Sequence, residues 1–119
     1  MVLVDTSVWV NHLRGGDKLL EKLLINGDVV CHSFIIGELA CGNIKNQKEI
    51  ISLLQALPKA SSIEFEEFLY FIEENQLNGK KIGFVDIHLL ASAQLDQIKL
   101  WTEDKRLKKA AIELGLHVN

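Results

Sequence analysis

Proline is almost missing from this chain, with one residue in 119, at position 58. No linker is therefore evident, and the length suits one compact domain spanning 1–119. Cysteine is scarce too. Cys31 and Cys41 form no C-x-x-C pair, which argues against a zinc site. Both stand among Val, Ile and Leu, so they read as buried thiols rather than a disulfide. No apolar run approaches the about 20 residues of a membrane span, and MVLVDTSVW has neither the basic nor the apolar region of a leader peptide. The expectation is a cytoplasmic protein with no membrane contact. An excess of positive charge is also lacking: the formal net charge is −3, which taken alone disfavours a nucleic-acid partner. Repeats and low-complexity tracts are absent. What remains is 48% hydrophobic and 24% charged, a balance that excludes disorder and supports a core needing no staples.

Short β-like runs alternate with longer helical ones. Residues 1–4, 29–31, 98–101 and 116–118 read as strands. Residues 7–13 read as helix closed by Gly15 and Gly16, and Leu19, Leu20, Leu23 and Leu24 repeat at helical spacing up to Asn26-Gly27. Ser33 reads as the N-cap of FIIGELAC, and a further helix around residues 50–57 stops before Pro58. Residues 64–75, 84–95 and 105–114 complete the helices, and the one over 84–95 is apolar nearly all round, hence central. Strands joined through helices imply an α/β fold, a three-layer α/β/α sandwich whose central, mainly parallel sheet has four to five strands. Sites in such sheets lie beyond the carboxyl ends of the strands.

Four acids fall at those places. Asp5 follows the first strand, where a plain helix N-cap is an equal alternative. Glu38 sits in FIIGELAC, where Ile35, Leu39 and Cys41 leave little polar surface, so a buried carboxylate there needs a partner or a metal; a place at the solvent edge is the alternative. Asp86 lies in the first turn of the central helix, where an acid also suits the helix dipole. Asp104 follows the third strand in LWTEDKRL, with Thr102 two residues earlier; either can cap the next helix, and Glu103 is a rival acid. Carboxylates gathered in one crevice repel unless cations neutralise them. Oxygen-only ligands suit Mg²⁺ or Mn²⁺, and such an ion can activate water against a phosphodiester. No Ser-His-Asp or Cys-His set competes.

DTSVW, GELACG, IGFVDIHLLASA and LWTEDKRL together resemble the PIN domain, in particular the VapC-like toxins of bacterial toxin–antitoxin pairs, along essentially the whole chain. The resemblance implies a metal-dependent endoribonuclease whose Asp5, Glu38, Asp86 and Asp104 are both catalytic and metal-binding. It implies that Thr6 or Ser7 lies against the site and that Thr102 orients the last acid. It further implies an RNA substrate (tRNA, rRNA or mRNA), arrested growth, a homodimer and a cognate antitoxin reaching the acidic site.

RNA phosphates need cations, for which Arg14, Lys45, Lys48, Lys80, Lys81, Lys105, Arg106, Lys108 and Lys109 are candidates, Lys105 and Arg106 foremost because they flank Asp104. Trp9 and Trp101 read as core. Two rival functions differ in kind. A receiver-type phosphoacceptor domain would need adjacent acids after the first strand and a lysine at the last, whereas Asp5 stands alone and the chain ends LHVN. A catalytically silent PIN-like scaffold binding RNA or protein is separated from an enzyme only by assay.

Overall fold

In the computed structural model, which describes residues 1–118, three parallel strands form the sheet. Strand β1 (Val2–Val4) is central, with β2 (Val29–Val30) on one side and β3 (Lys99–Trp101) on the other. Val2 and Leu3 pair with Val29 and Val30; Val2, Leu3 and Val4 pair with Lys99, Leu100 and Trp101. Single bridges, Cys31 to Lys59 and Leu100 to His117, carry the ladder one segment further at each edge. The expected four to five strands are thus three strands and two bridged segments. At the first edge Pro58 has no N–H to give, and its carbonyl accepts from Cys31. At the other, the strand expected over 116–118 shrinks to one bridge, because Leu100 alone exchanges bonds with it, donating to Leu116 and accepting from Val118.

Seven helices among the described residues flank the sheet: α1 (Thr6–Gly15), α2 (Lys18–Ile25), α3 (Ser33–Cys41), α4 (Gln47–Ala56), α5 (Phe65–Glu74), α6 (Phe84–Asp96) and α7 (Lys105–Glu113). As its composition predicts, α6 is central: every residue from Ile87 to Ala93 is buried. Leu89 and Leu90 join Leu3, Val4 and Leu100 in a core closed to solvent. No described helix is long and apolar enough to cross a membrane.

From β1 the chain crosses to β2 on one side, and later returns to β1 on its other side as β3. The crossing direction therefore reverses between β1 and β3, and their carboxyl ends open on the crevice where open α/β sheets hold ligands. Asp5 lies at one lip of that crevice; Thr102, Glu103 and Asp104 lie at the other.

The start of α3 differs from expectation. His32, not Ser33, holds the N-cap position, and its Nδ1 accepts the Phe34 N–H at 3.0 Å. The ring proton is then on Nε2, which points at Ser92 Oγ 3.1 Å away. A histidine wins here because its long side chain reaches both the helix end and the buried face of α6, which serine cannot. The two cysteines also separate: Cys31 is buried, whereas Cys41 is exposed. Ile35 and Leu39 take the buried stripe of α3, and Gly37, Glu38 and Cys41 are left outside.

Burial, with the nearby His88 next in weight, holds the His32 ring below its ordinary pKa, while Asp96 acts the other way. The folded pKa lies below the unfolded one, so the unfolded chain takes up this proton first and stability is lost as pH falls below about 6.5. His32→Asn keeps a capping side chain and removes the titrating ring. Its melting temperature should fall less than that of the wild type between pH 7.5 and 5.5. An equal fall in both would mean that His32 does not set the acid sensitivity.

Candidate metal-dependent active site

Asp5 occupies the N-cap position of α1, yet its side chain makes no capping bond. Its backbone carbonyl takes the Val8 and Trp9 N–H groups. The carboxylate, only 4% exposed, turns to the crevice, where Oδ2 accepts from Ser7 Oγ at 2.8 Å and from Thr102 Oγ1 at 2.7 Å. Each hydroxyl has one proton, and both are spent on this oxygen. The remaining lone pairs accept from the loop after β3: Ser7 Oγ from the Glu103 N–H, Thr102 Oγ1 from the Asp104 N–H, each at 3.0 Å. The 3.3 Å approach of Ser7 to Thr102 then has no proton left to share.

Glu38 sits on the solvent side of α3, which corrects the expectation that it is buried. The correction follows from the helical period: Ile35 and Leu39 lie one turn apart and go inward, and Glu38 falls with Gly37 and Cys41 on the exposed side. It is nonetheless engaged, because Thr6 Oγ1 donates to Glu38 Oε1 at 2.7 Å. Thr6 and Ser7 thus both face the site, each serving a different acid.

Asp104 is exposed and does cap a helix, its Oδ1 accepting the Leu107 N–H at 3.0 Å. Thr102 meets Asp104 through the backbone, accepting its N–H, and gives its own proton to Asp5. Glu103 accepts from Trp101 Nε1 at 3.2 Å. Both tryptophans are buried, and Trp9 Nε1 has no partner among the described residues.

Asp86, half-buried at the first turn of α6, reports on the other three. Burial, and then the negative charges of Asp5, Asp104 and Glu38, push its carboxyl up to about 7. Glu103 is not among those causes. Asp5, Asp104 and Glu38 thus lie near enough to Asp86 for their charges to raise its carboxyl. Among the described residues no three His, Cys, Asp or Glu side chains are close enough to hold one ion as placed. The two observations agree physically, since repulsion acts over several ångströms whereas coordination needs about 2 Å for Mg²⁺. The donors are all oxygens, as a hard cation requires, and the exposed Glu38 and Asp104 have room to close on it while Asp5 is held.

Of the expected cations, Arg14 and Lys45 share a cleft of about 360 Å³ with Thr6 and Glu38. Arg106, Lys109 and Lys80 line another of about 280 Å³, where Lys80 also pairs with Glu113 at 3.6 Å. Lys48, Lys81, Lys105 and Lys108 are exposed. The aromatic wall made by Phe34 and Phe84 was not anticipated, although an exposed ring two residues before Asp86 is a signal the sequence does carry.

The acids lie beyond the carboxyl ends of a parallel sheet, and a family model of the PIN domain matches residues 2–113. The chain belongs to the PIN-domain family. Among characterised proteins it is similar to "Ribonuclease VapC32" from two strains of Mycobacterium tuberculosis, with 42% identity over 117 residues, covering 98% of this chain and 94% of the relative. Family and relative both support the ribonuclease activity and the toxin–antitoxin context that the sequence suggests.

Because the Asp86 carboxyl is raised, charging it costs folded-state stability as pH rises through that window. At pH 8 in EDTA, Asp86→Asn should melt a few degrees higher than the wild type. A lower melting temperature would mean that the other acids do not crowd it.

Proposed function

We propose that this protein is an endoribonuclease that works with a divalent cation, Mg²⁺ or Mn²⁺, held by Asp5, Glu38, Asp86 and Asp104. The observation that carries the proposal is the Asp5 carboxylate, turned away from its own helix and fastened by two hydroxyls at the strand switch point. The cation, when bound, supplies an activated water and neutralises charge on the attacked phosphate.

The chain's own groups supply the rest. Ser7 and Thr102 hold Asp5 in one orientation through one oxygen, which leaves the other for the cation. Thr6 restrains Glu38, an exposed side chain that would otherwise sample many rotamers. Asp104 keeps one oxygen on its helix cap, which leaves the other for the cation. Asp86, crowded into holding its proton near neutrality, releases it when positive charge enters. Arg14 and Lys45, in the cleft shared with Glu38, are placed for phosphates of the flanking strand; Lys105 and Arg106 extend that contact beyond Asp104.

The relative's name and the family support a biological role as the toxin of a toxin–antitoxin pair. On this reading the substrate is a cellular RNA (tRNA, rRNA or mRNA), the working form is a homodimer, and a cognate antitoxin silences the enzyme by covering the acidic crevice.

Purified antitoxin-free protein is expected to cut a mixed RNA pool in Mg²⁺ or Mn²⁺ but not in EDTA, and Asp5→Asn should abolish the cutting. Cutting that survives both EDTA and the substitution would sink the proposal. Thr102→Val keeps the side-chain shape and removes the proton given to Asp5. It should lower metal affinity or cleavage roughly 10- to 100-fold, measured as the Mg²⁺ dependence of rate and of melting temperature. An unchanged Mg²⁺ dependence would show that Thr102 only fills space.

A further inference from the structure

Beside the acidic crevice lies a cleft of about 540 Å³ walled by Phe34, Gly37, Glu38, Cys41, Phe84 and Val85. It runs between α3 and the first turn of α6, and Glu38 is common to the cleft and the acidic site. Phe84 stands two residues before Asp86 and is 55% exposed. The ring is nevertheless fixed from behind. Phe68 packs 4.8 Å from it and His88 4.7 Å, ring centre to ring centre. Phe34 lies 6.2 Å away with its plane 26° off, so the two rings stack on one another and line the cleft together.

Gly37 keeps the opposite side open. Glycine inside a helix costs stability relative to alanine, yet a Cβ at this position would meet nothing within 4 Å. Internal packing does not demand glycine there. Its missing side chain leaves that side of the cleft clear.

We infer that this cleft receives an unpaired nucleobase of the RNA, stacked on the Phe84–Phe34 wall beside the phosphate that is cut; the inference rests on the ribonuclease reading above. Apolar aromatic walls with no cation suit a base and not a phosphate. The cleft that carries Arg14 and Lys45 is its counterpart for phosphates. Stacking on an aromatic ring is open to every base, because each has a π-face. In a duplex the bases are paired and stacked on one another, so only a single strand or a loop can place one here. The wall therefore selects unpaired RNA without choosing its sequence.

The test compares an adenosine tetramer with an abasic tetramer carrying the same phosphates, bound by the full chain carrying Asp104→Asn in Mg²⁺ so that the RNA survives. Asparagine keeps the α7 cap. The base-bearing tetramer is expected to bind more tightly, on the order of tenfold. Phe84→Leu in that background should remove most of the preference, and Gly37→Leu, which fills the cleft and favours the helix, should remove it as well. Equal affinities for the two tetramers in the parent protein would overturn the inference, as would a preference unchanged in both variants. Cleavage of an RNA pool by the unsubstituted protein reports separately on the ribonuclease reading. Cutting without base preference overturns the base site alone; base preference without cutting overturns the nuclease reading and leaves the base site standing.

Discussion

Two hydroxyl protons, from Ser7 and Thr102, end on a single oxygen of Asp5, and the site is organised around that arrangement. A carboxylate this far from solvent needs donors close to it. The two it has come from different crossings of the fold, one from the first turn of α1 and one from the end of β3. Each hydroxyl also accepts a backbone N–H from the loop that follows β3. The carboxylate thus also closes the gap between two strands, and the loop carrying Asp104 is held by the same hydroxyls that orient Asp5. The geometry of the acid and that of the loop cannot be changed separately here.

Around this fixed acid the other three are held with decreasing rigidity. Asp86 is anchored by a buried helix, Asp104 by a cap bond, and Glu38 by one hydroxyl donor on an exposed face. Repulsion among them is written into the raised Asp86 carboxyl. A crevice of this kind stores unfavourable charge in the folded state, and an entering cation relieves it. The looser pair, Glu38 and Asp104, is the pair able to adjust.

The sequence carried the extent of the strands less well than the positions of the acids. Asp5 and Asp86 were legible because an acid after a buried strand, or at the tip of an all-apolar helix, has few other reasons to be there. Glu38 was singled out for a mistaken reason: its apolar neighbours in sequence point to the other side of α3, and the residue is exposed. Thr102 was singled out too, but its proton crosses 97 residues to Asp5, a pairing that no local pattern encodes. His32 displaced Ser33 as cap because its second nitrogen finds Ser92 across 60 residues, again a tertiary reason. The missing edge strand at 116–118 shows how short ladders depend on which partner exchanges hydrogen bonds, and not on β-propensity.

A net charge of −3 first counted against an RNA partner, and the structure shows why that bulk figure misleads. Of sixteen acids, four share the crevice; set against the remaining twelve, the thirteen lysines and arginines leave the rest of the molecule slightly positive. Negative charge is concentrated where a cation would be drawn in, while Arg14 and Lys45 stand at the rim of the same depression. An RNA strand approaching the apo crevice meets repulsion at its centre and attraction at its edge. A divalent ion among the acids would offset part of that charge, so the centre would repel phosphate less. Binding of metal and of RNA are then coupled through one electrostatic field, so each should strengthen the other without any change in fold.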